Sequence, residues 1–526
     1  MRSCRLVDVS HARWVRTTAL ALILAVFPLI LYSRIRLRST PLERDEGEYA
    51  YAGQLMLQGI PPYSLACNMK LPGTYTAYAV IMAVFGQTIA GIRIGLLLMN
   101  AATILLIYAL GRRLLSKDAA IAAAAVYALM SVGAPVMGQA AHATQFVVFA
   151  AAGGLLLFLR AMDSGRTAPL VWSGLAFGVA YLMKQHGIFF ALFAVAWLLW
   201  KHAGGWKTTL RRTVIFGAAV AAPFVLTCAI LWQLGVFPKF WFWTFHYARA
   251  YAGENTLADG WDNLKEEIPY LFDGTWLLWL LAVAGFVALW RKRDLRESAC
   301  FLTAFLAFST LAVCPGLYFR DHYFVLMLPA LALGAGALAA AISGTGLTIC
   351  AACLAIGIVM QNGYLFRWSD FQVSREIYAL NPFPEAIPIA EYIRDHSSPG
   401  AKVIVLGSEP EIYFYSHRHS GTGFIYTFAL TEDQPFARQM TADMIHDIEN
   451  GRPEYVVQAD SIKKWAERYE GQPTVYSWWG EWSPRHYEIV GIADIISDTR
   501  TEYRWGPEAA SYQPQSDYIL AIYRRQ

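Results

Sequence analysis

Residues 323–364 read YFVLMLPALALGAGALAAAISGTGLTICAACLAIGIVMQNGY and contain no Asp, Glu, Lys or Arg. A helix that crosses a bilayer needs about 20 predominantly apolar residues, so this stretch is long enough for two crossings. Two more charge-free stretches lie at residues 275–290 and 299–313. The sequence therefore predicts an integral membrane protein built mainly from α-helices.

The composition of the whole chain agrees with this class. Of the 526 residues, 56% are hydrophobic and only 16% are charged, whereas soluble domains carry about 25% charged residues. The net charge of +4 is small and scattered, so the sequence does not predict a nucleic-acid-binding protein. The seven cysteines form an odd set that lies mostly in apolar runs, and they do not predict a disulfide framework.

Apolar segments recur along the first two thirds of the chain and predict about 11–13 transmembrane helices. They lie near residues 15–33, 74–90, 93–111, 118–138, 143–160, 168–183, 186–200, 213–235, 274–290, 298–315, 322–342 and 346–364. Arginines flank the first segment on both sides, and no small-residue cleavage site follows it. We therefore expect a retained signal-anchor helix rather than a removed signal peptide.

Basic connectors indicate the orientation, because Lys and Arg accumulate in short cytoplasmic loops. The four basic connectors lie near residues 112–117, 160–166, 201–212 and 291–296. All four are cytoplasmic, together with the N-terminus, if the segment at 74–90 does not cross the membrane. The alternative is that this segment does cross and another boundary is misread. On the first interpretation, residues 34–73, 236–273, 316–321 and everything after about 364 face outward.

The chain changes character after residue 364, which predicts two domains, 1–364 in the membrane and 365–526 outside the cytoplasm. Short β-rich runs at 402–407 and 454–458 alternate with helix-like runs at 387–396 and 437–449, as in a small α/β domain. Residues 407–410 resemble a strand-to-helix turn with Ser408 as the helix cap. The sequence has no Gly-rich phosphate fingerprint, so nucleotide binding is not predicted.

The first outer loop carries the most informative polar residues. Residues 43–51 read ERDEGEYAY, and the spacing of Tyr49, Ala52 and Met56 predicts a short amphipathic helix over 46–58 that lies along the membrane interface. Asp45 directly precedes this helix. From spacing alone, Asp45 is expected to be its N-cap.

The same loop resembles a known family. The pattern Arg-Asp-Glu-x-x-Tyr-Ala, followed by Lys70-x-Pro72-x-x-Tyr75 before an apolar segment, resembles the first outer loop of the membrane-embedded GT-C glycosyltransferases. These enzymes use polyprenyl-phosphate sugars and include protein O-mannosyltransferase-like enzymes and the aminoarabinose transferase of lipid A. The likeness covers roughly residues 15–365 and implies a GT-C-like fold followed by a soluble outer domain.

The resemblance also implies roles for residues of the motif. Asp45 matches the catalytic carboxylate of the family, with Glu46 beside it as a second catalytic candidate, and Lys70 matches a lysine near the lipid phosphate. Arg44 and Tyr49 belong to the same motif and are binding candidates. The aminoarabinose transferase has a Glu before the lysine, where this chain has Met69. No cofactor is therefore predicted, and a divalent metal is doubtful.

Further polar residues stand at the predicted outer ends of helices. Lys184 interrupts an apolar stretch, and we expect it to contact the lipid phosphate, although a snorkelling lysine would have the same position. Arg320, His322 and Tyr323 resemble a late His-Tyr segment of the family and could add a cation for the phosphate. A local pair between Arg320 and Asp321 would explain the same pattern. His142, between two apolar segments, matches the family only weakly.

The sequence thus predicts an enzyme of the inner membrane that moves a sugar from a polyprenyl-phosphate donor to an acceptor at the outer face. The acceptor, which can be a lipid, a glycan or a protein, is not named by any motif. A ligase that transfers a whole lipid-linked glycan is the closest alternative. A transporter or flippase without covalent chemistry is the more distant one, because paired broken helices and midplane charges are missing from the sequence.

Overall fold

A computed structural model describes residues 2–202, 204–432, 434–459 and 474–526. The chain divides into two compact units. The first unit comprises Met1–Arg38, Arg93–Thr227 and Asn255–Trp368, and the second comprises Ser39–Ile92, Cys228–Glu254 and Ser369–Gln526. The boundaries of these units do not coincide with residue 364, and the division into domains 1–364 and 365–526 stays a prediction.

The first unit is helical. Its helices, two of which extend into the second unit, are α1 (Arg2–Arg36), α4 (Ile89–Leu114), α5 (Lys117–Met130), α6 (Ala143–Ser164), α7 (Thr167–Met183), α8 (Ile188–Lys201), α9 (Trp206–Gln233), α12 (Leu257–Phe272), α13 (Trp276–Arg291), α14 (Arg296–Leu311) and α15 (Leu328–Met360). Each predicted apolar segment of this unit coincides with one of these helices or with half of one.

Small residues let the central helices of this unit approach closely. A Cβ atom on Gly285 of α13 would lie 1.9 Å from the carbonyl oxygen of Gly334 in α15. A Cβ atom on Gly336 would lie 2.4 Å from the carbonyl oxygen of Ala119 in α5. Such contacts are typical of membrane helices, where packing and not the hydrophobic effect drives association.

The long helix α15 is a hairpin of two halves. Ile342 and Ser343 have non-helical backbone angles, and Ser343 has a φ of 48°. The halves then run back along each other, because the Cys350 thiol contacts the carbonyl oxygen of Ala335 at 3.7 Å. This confirms the prediction of two segments, 322–342 and 346–364, within one charge-free stretch.

Five helices in the described part of the chain are long and apolar enough to cross a membrane, or six if α12 and α13 together form one span. They are Arg13–Arg36, Ile89–Leu114, Ala143–Ser164, Trp206–Gln233 and Asp321–Met360. Three shorter apolar helices cover 72–85, 167–183 and 185–201. The chain is therefore a polytopic helical membrane protein, and the count of 11–13 crossings stays a prediction.

Ion pairs join connectors that the sequence predicts to be cytoplasmic. Arg16 pairs with Asp118 at 2.7 Å, and Lys201 pairs with Glu297 at 2.5 Å. Arg113 pairs with Asp163. Each pair links two different connectors, and Ser298 Oγ donates to the carbonyl of Leu114 at 2.6 Å, so these connectors meet at one end of the first unit.

The second unit combines short helices with a sheet. Its helices are α2 (Arg44–Leu57), α3 (Pro72–Phe85), α10 (Phe237–Trp241), α11 (Ala248–Ala252), α16 (Asp370–Tyr378), α17 (Phe383–Asp395), α18 (Glu411–Ser416), α19 (Phe428–Thr431), α20 (Ala437–Gly451), α21 (Val475–Trp482) and α22 (Pro507–Ser511). Its strands are β1 (Lys402–Leu406), β2 (His419–Ser420), β3 (Tyr455–Ala459), β4 (Tyr487–Ser497), β5 (Arg500–Trp505) and β6 (Ile519–Arg525).

These strands form one six-stranded sheet in the order β2-β1-β3-β6-β4-β5. The pairs of β1 with β2 and β3 are parallel, and the other three pairs are antiparallel. The predicted α/β character of the C-terminal part is confirmed.

The predicted cap at Ser408 is wrong, since α18 begins at Glu411 after Pro410 without a side-chain cap. The backbone of Ser408 instead bonds the Glu409 carboxylate and Arg44.

Candidate active site

The first turn of α2 places the predicted catalytic residues. Glu43 is the N-cap, and its carboxylate accepts a hydrogen bond from the Glu46 backbone N–H at 2.8 Å. The Glu46 carboxylate in turn accepts from the Glu43 backbone N–H at 3.5 Å, which completes a capping box. The prediction that Asp45 is the cap is therefore wrong, because Glu43 takes that role. Asp45 lies within the first turn, and Glu46 stabilises the helix end.

The helix α2 is also more enclosed than its sequence pattern suggests. Its residues Glu46–Leu55 are all buried, so the prediction of an amphipathic helix lying along the membrane interface is wrong. Glycine permits this enclosure on one side: a Cβ atom on Gly47 would lie 2.6 Å from the backbone nitrogen of Glu411 in α18. The C-terminal part of the second unit thus packs directly on the turn that carries Asp45.

Lys70 joins Asp45 and Glu48. Its ammonium lies 2.5 Å from Asp45 Oδ1 and 3.3 Å from Glu48 Oε2. Asp45 and Glu48 are three residues apart on α2, and this spacing puts both carboxylates on one helix face. Lys70 lies in the segment just before α3, and its backbone carbonyl accepts a 2.8 Å hydrogen bond from the Tyr63 hydroxyl. The site therefore holds one cation between two carboxylates.

Glu48 is fixed by donors on the side away from solvent. Asn68 Nδ2 donates to it at 2.7 Å, and the Tyr75 hydroxyl donates to its other oxygen. Burial raises the pKa of Glu48, and the charge of Lys70 opposes this rise. For Lys70, burial lowers the pKa, but the carboxylates of Asp45 and Glu48 outweigh burial and hold it well above its usual value. Lys70 is therefore protonated throughout the physiological pH range.

The carboxylates of Asp45 and Glu48 differ in solvent exposure. The side chain of Glu48 has no exposed surface, whereas Asp45 and Lys70 keep 23% and 20% of theirs. Tyr49 lies beside this opening, with its hydroxyl 3.5 Å from Asp45 Oδ2 and its ring centroid 5.0 Å from the Lys70 ammonium. A substrate can thus reach Asp45 and Lys70, whereas the side chains of Tyr49 and Glu48 are buried.

Arg44 points away from Asp45 and fastens α2 to the C-terminal part of the unit. Its Nε donates to the carbonyl of Ser408 at 2.7 Å, and its Nη2 donates to Asn381 at 3.1 Å. Its own carbonyl accepts from the Tyr426 hydroxyl at 3.0 Å. These contacts tie α2 to the C-terminal part of the unit through Arg44, and the role of Arg44 in substrate binding stays a prediction.

The other predicted binding residues lie in the first unit, and most of them meet there. The Lys184 ammonium lies 3.8 Å from the ring centroid of Tyr323, and the His186 ring packs on the same tyrosine at 4.9 Å. The rings of His142 and His322 stack at 4.1 Å. Lys184 stands in the break between α7 and α8, where its backbone is extended. Arg320 instead has its guanidinium over the ring of Tyr318, at 5.5 Å.

Sequence reasoning missed Glu48, Asn68 and His186. Glu48 carried a usable signal, since it follows Asp45 by three residues on a predicted helix. Asn68 had no comparable signal, because it lies in an irregular segment whose path depends on tertiary contacts.

Residues 71–232 match the family described as dolichyl-phosphate-mannose-protein mannosyltransferase. The chain is also similar to the undecaprenyl phosphate-alpha-4-amino-4-deoxy-L-arabinose arabinosyl transferase of Pseudomonas aeruginosa, with 31% identity over 229 residues. That alignment spans 40% of this chain and 40% of the relative. The corresponding transferase of Pseudomonas savastanoi is 29% identical over 276 residues, which span 49% of this chain and 50% of the relative.

Solved structures share the fold over most of the chain. ArnT from Cupriavidus metallidurans, bound to undecaprenyl phosphate, superposes with a TM-score of 0.58 at 17% identity, covering 86% of this chain and 95% of ArnT. The oligosaccharyltransferase of Archaeoglobus fulgidus superposes with a TM-score of 0.52 at 15% identity. The superposition covers 91% of this chain and 72% of the oligosaccharyltransferase chain. The sequence matches and the shared fold confirm the predicted fold class and the resemblance of this chain to the GT-C glycosyltransferases that use polyprenyl-phosphate sugars.

Proposed function

We propose that this protein transfers a sugar from a polyprenyl-phosphate donor to an acceptor hydroxyl at the outer face of the cytoplasmic membrane, with Asp45 as the general base. The observation that carries the proposal is the partly exposed pair of Asp45 and Lys70 on the motif that the family resemblance singles out. The names of the sequence relatives and the undecaprenyl phosphate bound to ArnT support a lipid-phosphate donor.

The geometry suits a displacement at the anomeric carbon. The acceptor hydroxyl forms a bond to this carbon, its proton passes to Asp45, and the bond from the carbon to the phosphate oxygen breaks. The electron pair of that bond leaves on the polyprenyl phosphate. By the family resemblance, the configuration of the sugar inverts.

Lys70 couples the proton transfer to Asp45 with the departure of the phosphate. Before the reaction, its ammonium is held between the carboxyl groups of Asp45 and Glu48. When Asp45 accepts a proton, it loses its charge and with it most of its attraction for Lys70. The ammonium can then stabilise the charge that develops on the leaving phosphate. Glu48 keeps Lys70 in the site during this exchange, because its own donors fix it in place.

The ion pairs between connectors support the proposed orientation. Arg16 before the first span meets Asp118 after α4, so these two points lie on the same side of the membrane. Between them, α1 and α4 are long enough to cross, whereas α3 is one of the shorter apolar helices. With the N-terminus cytoplasmic, as the basic connectors predict, this arrangement supports an outer-face position for the loop that carries Asp45.

Mass spectrometry of lipids and glycans from a deletion strain tests the proposed function. We expect one envelope component to lack a single sugar residue, and the wild-type gene to restore it while the Asp45→Asn variant does not. Loss of a whole glycan block would favour the ligase. An unchanged set of glycans would contradict sugar transfer.

A further inference from the structure

The helix α12 is nearly perpendicular to α13, the next helix in the chain. The axes of α12 and α13 make an angle of 99°, with a break at residues 273–275. The exposed residues of α13 are apolar from Trp276 to Trp290, as is typical of a helix that faces lipid. If α13 crosses the bilayer, α12 lies in the plane of the membrane. The five charged residues between 259 and 267 exclude α12 from the hydrocarbon core.

One face of α12 is fixed to the protein. A Cβ atom on Gly260 would lie 2.7 Å from Leu317, so α12 packs closely against the turn that contains Gly316 and Leu317. Asn263 Nδ2 donates to the carbonyl of Leu317 at 3.1 Å, and Asn255, just before the helix, donates to that of Gly316 at 2.9 Å. The turn directly precedes the segment of Arg320. These contacts fix the rotation of α12 about its axis.

The opposite face of α12 is apolar and exposed. Leu257 and Trp261 are 83% and 59% exposed, and Ile268 and Phe272 follow on the same face. Lys265 lies among them, with its ammonium 5.5 Å from the centroid of the Trp261 ring. Tryptophan, aliphatic residues and a lysine on one exposed helix face are typical of a helix at the membrane–water interface.

This face continues into the lipid-facing surface of the next helix. The ring of Phe272 contacts that of Trp279 in α13 at 5.3 Å, across the break. The exposed residues Trp276 and Leu280 extend the apolar surface along α13. A single apolar surface therefore runs from α12 through the bend onto a helix predicted to cross the membrane.

We propose that the face formed by Leu257, Trp261, Lys265, Ile268 and Phe272 binds the phospholipid surface of one leaflet. The four apolar side chains enter the boundary between headgroups and acyl chains, and Lys265 contacts lipid phosphate. Through Gly260 and Asn263, the same helix holds the turn before Arg320 at the depth of the headgroups. This inference does not depend on the proposed enzymatic activity.

Photo-crosslinking of the full-length protein in nanodiscs tests this surface. A benzophenone amino acid is placed at position 257, 261 or 268, and the nanodiscs contain phosphatidylglycerol with an alkyne tag. Positions 262 and 266 are matched controls, since both lie on α12 and are exposed but point away from the apolar face. We expect lipid adducts at 257, 261 and 268 to exceed those at the control positions by about fivefold or more.

Two outcomes would overturn the proposal. Equal lipid labelling at 261 and 262 would mean that α12 enters the bilayer as part of a re-entrant loop. Protein dimers crosslinked from 261, without lipid adducts, would mean that a second copy of the chain covers this face. Size-exclusion profiles of each variant verify that the protein is folded before crosslinking.

Discussion

At Lys70, one ammonium group faces two carboxylates, one that a substrate can reach and one that it cannot. The proposed reaction uses this difference, because only the exposed partner, Asp45, changes its charge. We expect the Lys70→Met variant to lower turnover more than about tenfold, which corresponds to about 1.4 kcal/mol in the barrier. Steady-state kinetics with a fixed acceptor and a varied polyprenyl-phosphate donor measure this effect. A change of less than twofold would place the phosphate site elsewhere.

A second prediction at the residue scale concerns Glu411. This fully buried carboxyl has no hydrogen-bond partner on either oxygen. Burial and the neighbouring Glu409 raise its pKa well above the usual value. An acid with a raised folded-state pKa stabilises the protein at low pH, and this stability is lost as the pH rises from the unfolded pKa through the folded one.

We therefore expect the Glu411→Gln variant, which mimics the neutral acid, to lose less stability than wild type as the pH rises above about 4.5, the ordinary pKa of a glutamate. Thermal unfolding in detergent at several pH values measures this difference. Parallel pH profiles for the two proteins would show that Glu411 does not titrate as inferred.

The sequence could predict residues of the site only where a motif marked them. Asp45, Lys70 and Tyr75 are parts of one pattern, and the structure places them around a single charge network. The roles of Glu43 and Arg44 could not be read in the same way. Which of several acidic residues caps a helix depends on backbone angles, and Arg44 finds its partners in residues more than 300 positions away.

At the scale of elements, the contact between α2 and α18 determines how firmly Asp45 is held. A side chain at Gly47 would collide with the backbone of Glu411, which cannot move aside as a flexible side chain can. We expect the Gly47→Ala variant to be destabilised by about 1–3 kcal/mol and to lose activity together with stability. Gly480→Ala is a suitable control, because a Cβ atom there would have no neighbour within 4 Å. Equal unfolding temperatures for the two variants would contradict this account.

Elements with a strong apolar pattern were predicted well, as the hairpin of α15 illustrates. Its two halves were separated correctly in a stretch without a single charge, because the length of 323–364 required two segments. The helix α2 was assigned correctly as a helix but wrongly as an interfacial one. Periodicity reports which residues are apolar, whereas the burial of α2 depends on elements such as α18 that come much later in the chain.

At the scale of the whole molecule, the orientation rests on connectors that share one end of the first unit. A reporter that is active only outside the cytoplasm should be active when fused after Gln526 and silent when fused at Asp294. Asp294 lies in the basic connector 291–296, three residues before Glu297, which pairs with Lys201 of another basic connector. Activity at Asp294 with silence at Gln526 would reverse the orientation and remove the argument for an outer-face site.

The most direct test of the central claim is the turnover of the Asp45→Asn variant, measured with purified protein in nanodiscs. The change is isosteric, Glu43 rather than Asp45 caps the helix, and Lys70 keeps its second carboxylate partner, Glu48, so the variant should still fold. Asp443→Asn, an exposed position on α20, is the matched control. We predict that Asp45→Asn lowers turnover at least about a hundredfold, the usual contribution of a general base, with an unchanged unfolding temperature. Turnover within about twofold of wild type in a correctly folded variant would contradict the assignment of Asp45 as the base.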